Sequence, residues 1–264
     1  MVPSVHMSTL KSLKKDFKKL GIEPGMTIIV HSSLKSVGAV CGGPVAIILA
    51  LEELLTNEGT LVMPTFNTDL TDPARWTAPP IMQNQLQEIL DEMPVFDLDL
   101  TPTRNMGCVS ETFRKQPGVI RSSHPHLSFA AWGKHAVDVC SDHSLEYGLS
   151  VESPLARIYE LGGFVLLLGV EHNRNTSMHL AEYDSRTNRS RIREKAPMVV
   201  NGNRQWVEFD EIDLDCSDFL EIGIEFESYS DEINYSNVGE AKAKFMPQSE
   251  LVDYARTYMR QQST

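Results

Sequence analysis

No two of the four cysteines in this 264-residue chain (Cys41, Cys108, Cys140, Cys216) form a C-x-x-C pair. Their wide spacing argues against a disulfide framework and a structural zinc site, and predicts reduced thiols in a cytoplasmic protein. Apolar runs approaching the roughly 20 residues that cross a bilayer are missing, so no membrane association is expected. The opening stretch MVPSVHMSTLKSLKKDFKKLG has neither an apolar h-region nor a small-residue cleavage site, which argues against a signal peptide. Residues 1–6 are set aside from the fold reading. Basic residues are in deficit, 24 against 36 acidic, for a net charge of −12. That balance argues against a nucleic-acid partner, whose phosphates need a basic footprint. It suits a small cationic ligand, although acidity also serves solubility.

Other motifs are missing too. Without G-x-S-x-G there is no support for an α/β serine hydrolase, and without G-x-G-x-x-G or a Walker A loop none for a dinucleotide or nucleoside triphosphate. His124 with His126 in SSHPHLS, and His172 with His179, lack the i, i+4 spacing and adjacent acid of a zinc-enzyme helix. No metal is expected, and His124 reads as a turn residue with its ring bonded to backbone.

What is present alternates between strand and helix. Leu10, Leu13, Phe17 and Leu20 recur at helical spacing with lysines opposite. TIIVHSSL (27–34) predicts a buried strand, VAIILALEELL (45–55) a helix with Pro44 near its first turn, and LVMPTF (61–66) a second strand. That order implies a crossover unit and a parallel pair. Further helices are expected at 106–115, 134–142 and 153–163, the last with Ser153 as cap, and strands at 128–133 and 164–170. Residues 67–105 break the rhythm with Pro, Asp and Thr, and predict a long loop excursion. After residue 190 the turn NGNR between two strand-like runs predicts a hairpin, followed by helices at 216–229 and after Pro247. The chain, 1–264, reads as one α/β domain. A central, mostly parallel sheet is flanked by helices, with an antiparallel and helical subregion at 190–264.

Two stretches carry chemistry. HSSLKSVG (31–38) ends a buried strand, where ligands dock on α/β sheets; its serines and small residues suit a phosphate or a pantetheine amide. NTSMHLAEY (175–183) places His179 in the first turn of a helix, where unpaired N–H groups disfavour imidazolium. A neutral imidazole is what a general base requires. The same position also suits a polar residue that completes a helix cap.

HSSLKSVG, RSSHPHLSFAAWGKHA (121–136), SPLARIYELGGFVLLLGV (153–170) and NTSMHLAEY, taken in this order, resemble the aminoglycoside 3-N-acetyltransferase family, and in particular the branch with shorter Bacillus-type members. The resemblance implies acetyl-CoA as co-substrate and an amine as acceptor. It implies that His179 is the general base, oriented by an acid in VEFDEIDLD, either Glu211 or Asp213. Ser32, Ser33 and Leu34 would line the acetyl-CoA site, Ser153 and Arg157 would contact pantetheine and phosphates, and Thr176 would lie near the thioester. A polyamine acceptor calls for carboxylates, for which Asp69, Asp72, Asp97 and Asp99 in the excursion and Glu182 and Asp184 beside His179 are candidates. Three functions stay open at this point: transfer to the 3-amine of an aminoglycoside, transfer to another amine metabolite, and non-catalytic acyl-CoA binding. The oligomeric state is not indicated.

Overall fold

Period-two alternation in the apolar strands decides the layering, because successive side chains of a strand leave on opposite faces. The computed structural model describes residues 6–77, 79–183 and 189–262. Its strands are β1 (Met7–Ser8), β2 (Thr27–Ser32), β3 (Ala39–Val40), β4 (Thr60–Pro64), β5 (Ile120–Arg121), β6 (Phe129–Gly133), β7 (Phe164–Leu168), β8 (Arg191–Val200), β9 (Asn203–Ile212), β10 (Asn234–Val238) and β11 (Ala241–Pro247). Seven of them form one sheet in the order β10-β11-β7-β2-β4-β6-β5. The centre, β7-β2-β4, is parallel. Antiparallel strands extend it on both sides: β11 and β10 beyond β7, β6 and β5 beyond β4. The α/β class and the parallel centre agree with the sequence reading. The C-terminal antiparallel part divides, β10 and β11 joining the main sheet while β8 and β9 pair only with each other.

Ile28, Val30, Leu166 and Leu168 face one core; Ile29, Val165 and Leu167 face the other. The first core is covered by α1 (Leu10–Lys19), α3 (Gly43–Leu55) and α5 (Gly107–Phe113), through Phe17, Ile47, Leu51 and Phe113. The second is covered by α6 (Ala136–Cys140), α7 (Pro154–Glu160), α9 (Phe219–Tyr229) and α10 (Gln248–Gln262), through Ile158, Phe226 and Leu251. Each helix thus buries one apolar stripe against the sheet, which gives a three-layer architecture. Short helices α2 (Leu34–Val37), α4 (Leu86–Glu92) and α8 (His179–Glu182) lie in the connections. Ser153 caps α7 as expected, its Oγ accepting from Ala156 N at 3.4 Å. Two predicted helices are shorter than 106–115 and 134–142. Gly107, at φ +82°, lies outside helical φ where α5 begins.

The ribbon β8–β9 turns on Asn201 (φ 51°) and Gly202 (φ 79°), the pair of positive angles that a two-residue type I′ turn requires. The excursion at 67–105 folds onto this ribbon. Arg204 Nη2 donates to Leu90 O (2.6 Å) and Met93 O (2.9 Å), and Trp206 Nε1 donates to Leu90 O (2.8 Å). Phe96 N donates to Pro197 O at 3.0 Å, and Lys195 pairs with Asp72 at 3.1 Å.

Candidate active site

The three parallel strands end together, and their carboxyl ends form one wall of a cavity of about 850 Å³ through Ser32, Pro64 and Gly169. Ligand sites of open α/β sheets lie at such ends. The opposite walls come from 105–110, from 170–176 and from the start of α9 at Phe219. His31, Ser32, Ser33, Leu34, Thr176 and His179 all line it. The sequence therefore gathers five of its expected site residues here and one that it did not single out, His31.

His179 reaches the cavity from a short local construction. Asn175 Oδ1 accepts from Ser177 N at 3.3 Å and starts a 3-10 turn, Thr176–Met178, which runs into α8. Because α8 is one turn long, its dipole is slight, and the electrostatics of His179 come from side chains instead. Nδ1 of His179 hydrogen-bonds Oε2 of Glu182. A carboxylate only accepts, so Nδ1 is the donor in this bond and Nε2 is left towards other partners. The ring packs on Phe219, with centroids 4.7 Å apart.

Glu182 is the acid bonded to the histidine, where the sequence reading points to Glu211 or Asp213. The reason is helical geometry: residues three apart share a face. Glu182 is fully buried, and its Oε1 accepts from Asp215 N at 3.0 Å and pairs with Arg189 Nη2 at 2.9 Å. Glu211, also buried, turns away. It accepts from Tyr183 Oη (2.6 Å), Gly148 N (2.9 Å) and Ile212 N (2.8 Å). Burial raises the Glu211 carboxyl against those donors, and burial with the Glu211 charge pushes Tyr183 well above the usual tyrosine range. Asp213 is exposed at the root of the ribbon, where its N–H donates to Ser190 O at 2.8 Å.

Other expected contacts fall outside the cavity lining. Ser153 is engaged as the α7 cap, and Arg157 lies near Glu160 at 3.9 Å. Ser33 Oγ caps α2 by accepting from Ser36 N at 3.3 Å, so its presence on the cavity wall is partly structural. The acids of the excursion serve the excursion. Asp69 pairs with Arg104 (2.5 Å), Asp72 caps the turn at Pro73–Arg75, and Asp97 accepts from Asp99 N and Leu100 N (2.9 and 2.8 Å), while Asp99 meets Arg114 through its main-chain carbonyl and not its carboxylate (2.7 Å). Asp184 lies outside the described residues.

Two further histidine groups frame the site. His31 follows Ile29 on the second face of β2 and is 6% exposed; its Nε2 is buried with no hydrogen-bond partner among the described residues. Burial, reinforced by His179 and His172, pushes it down to about 3, so the ring is neutral. An orphaned polar atom on a cavity wall is what a bound polar ligand would satisfy, and the site in that respect fits a pantetheine amide or thioester. His172 is buried with Nε2 bonded to Glu227 at 2.9 Å. His124 Nδ1 accepts from His126 N and Leu127 N (3.1 and 3.0 Å), the backbone role expected of it. No cluster of three or more metal-capable side chains occurs among the described residues.

The sequence carried a signal for Glu182 in its three-residue spacing from His179. Arg189 and Asp215 gave none, since only the folded chain brings them to Glu182.

Fold and site together define an α/β enzyme with a histidine–carboxylate pair at a ligand-sized cavity. Residues 29–260 match the model of the aminoglycoside 3-N-acetyltransferase family, and the chain belongs to that family of acyltransferases. It is 41% identical over 95% of its length, and 92% of the relative's, to the SPbeta prophage-derived aminoglycoside N(3')-acetyltransferase-like protein YokD of Bacillus subtilis (strain 168). The crystal structure of YokD superposes with a TM-score of 0.93 at 40% identity, covering 97% of this chain and 94% of that one. Aminoglycoside N(3)-acetyltransferase III of Pseudomonas aeruginosa is 33% identical over 80% of this chain and 76% of its own. A structure of AAC-IIIb in binary complex with CoASH has a TM-score of 0.87 at 26% identity, covering 97% of this chain and 98% of that one. No helix among the described residues is long and apolar enough to cross a membrane.

Proposed function

We propose that this chain transfers the acetyl group of acetyl-CoA to the 3-amino group of an aminoglycoside, with His179 as general base and Glu182 as the acid that orients it. The observation that carries the reading is the pairing of His179 Nδ1 with buried Glu182 on the cavity that Ser32–Leu34 also lines. The relatives' names support the acceptor, and the CoASH complex of AAC-IIIb supports the donor.

An alkylammonium has no lone pair, so a proton must leave nitrogen before or during attack. His179 Nε2 is the atom that takes it, and Glu182 stabilises the imidazolium that results. General-base assistance of this kind contributes about 10²–10⁴-fold. Acetyl-CoA supplies the acetyl group on a thiol leaving group, so the N–C bond forms as the C–S bond breaks. Two N–H protons leave on the way from ammonium to amide: one passes to solvent, and the one held at His179 is available to the departing sulfur. Holding amine and acetyl group together in one cavity contributes about 7–11 kcal/mol by proximity. Thr176, Ser32 and Ser33 are the polar side chains that line the cavity with His179.

A thiol-release assay with acetyl-CoA and a panel of aminoglycosides, some lacking a free 3-amine, tests the reading. Turnover confined to the 3-amino compounds is expected; turnover with unrelated amines alone would reassign the acceptor. His179→Ala is expected to cut turnover at least about 100-fold while CoA binding is retained. Undiminished turnover in that variant would remove the base assignment.

A further inference from the structure

Buried Glu182 has two oxygens and two kinds of partner. Oε2 meets His179; Oε1 meets Arg189 Nη2 at 2.9 Å and Asp215 N at 3.0 Å. Arg189 stands just ahead of β8, and its side chain is 24% exposed against 0% for Glu182. The same guanidinium spans to Asp215: Nη1 pairs with Oδ2 at 3.4 Å and Nη2 donates to the carbonyl oxygen at 3.3 Å. Asp215 is itself fixed, its Oδ1 accepting from Ser217 N at 2.9 Å, and this bond holds its carboxyl below the usual range.

We propose that Arg189 is a positioning residue for acyl transfer: by gripping Oε1 and Asp215 it fixes the Glu182 carboxyl group with Oε2 turned to His179. The inference rests on the His179–Glu182 reading above. Its physical basis is the cost of an ionised carboxylate in a buried setting, which is tolerated only when charge and hydrogen bonds meet both oxygens. An arginine suits the task because its planar fork reaches two acceptors at once, whereas an ammonium is a single point. Three segments meet on this one group: α8, the root of the ribbon and the link into α9.

The cation also sets the balance at the base. Facing Glu182 are His179 on its own helix, Arg189 ahead of β8, Asp215 ahead of α9 and the Tyr183 phenol, which feels the Glu182 charge. Facing His179 are Glu182, and, through their mutual electrostatic influence, His31 of β2; Cys216 and Phe219 close that side of the cavity. With Arg189 removed, one positive charge is lost beside the His179–Glu182 pair, so the pair keeps a proton to higher pH.

The experiment compares wild type, Arg189→Met, Arg189→Lys and His179→Ala in the thiol-release assay with acetyl-CoA and gentamicin, measuring kcat, KM and full pH profiles. Arg189→Met is expected to lower kcat about 10–100-fold with KM for acetyl-CoA within a few-fold, and to move the acid limb of kcat/KM up by about one pH unit. Arg189→Lys keeps the charge and is expected to restore the limb while recovering only part of kcat. If Arg189→Met does not fold, the lysine variant decides, and an unchanged kcat there overturns the proposal. An unshifted limb in Arg189→Met overturns it as well, whether kcat is normal or falls together with thermal stability. The more basic reading fails separately, by full turnover in His179→Ala.

Discussion

His143 offers a test in which the energy can be worked from the structure. Its ring is buried, with Nε2 2.6 Å from Gly148 O and Nδ1 2.9 Å from Ser122 Oγ. A carbonyl only accepts, so Nε2 carries the hydrogen and Nδ1 accepts from the serine hydroxyl. Protonation would give Nδ1 a hydrogen and reverse that second bond, with Ser122 Oγ becoming the acceptor. Burial lowers the folded-state value to about 4, from 6.5 in the unfolded chain, against the bond to Gly148 O, which favours the charged ring. The unfolded chain therefore binds more protons between those values, and stability falls as pH drops. The contribution is fully present above about pH 6.5 and is lost progressively towards about pH 4. At about 1.4 kcal/mol per unit, the fall from pH 6.5 to pH 5 costs about 2 kcal/mol for this residue alone. Glutamine can place its amide nitrogen near the Nε2 position but does not titrate. His143→Gln is thus expected to make the urea-derived unfolding free energy less steep between pH 6.5 and 5 by about 2 kcal/mol, whatever its offset at pH 7.5. A slope equal to wild type would refute the argument that this ring is held neutral by its surroundings.

Gly223 lies in α9 where a Cβ would come within 2.0 Å of His172 Cγ. Gly223→Ala, which would favour an isolated helix, is here expected to lower Tm by about 5–10 °C, and by much less in a His172→Ala background, as scanning calorimetry would record. Glu52 is half-buried, and burial raises its carboxyl to about 7. Here the folded state binds the extra proton, so stability is fully present below about pH 4.5 and lost as pH rises through about 7. Allowing for solvent screening, Glu52→Gln is expected to stabilise by about 1 kcal/mol at pH 8 and to be neutral near pH 4.5; equal shifts at both would contradict the assignment.

Elements whose signal is local were legible in the sequence. The Ser153 cap, the Asn201–Gly202 turn and the buried β2 and β7 runs each declare themselves within a few residues. His179 was legible for the same reason, together with the family blocks around it. The carboxylate that meets His179 was less legible, because Glu211, Asp213 and Glu182 all offer one and only the fold brings Glu182 to the ring. The acids of 67–105 could not be ranked from composition, which does not reveal whether a carboxylate already has an arginine, a lysine or a backbone N–H to meet. His31 could be placed at a strand end, but that its Nε2 would lie buried with no partner among the described residues depends on packing from α9 and the 170–176 segment.

The ribbon β8–β9 carries a mechanical consequence. Ten residues per strand give a length of about 33 Å, so a tilt of about 5° at the root displaces the far end by about 3 Å. Arg189 sits at that root, while the bonds from Arg204, Trp206 and Pro197 brace the distal half against the excursion. The excursion is thus placed as a strut: loosening it far from the cavity would load a lever whose fulcrum is the His179–Glu182 pair.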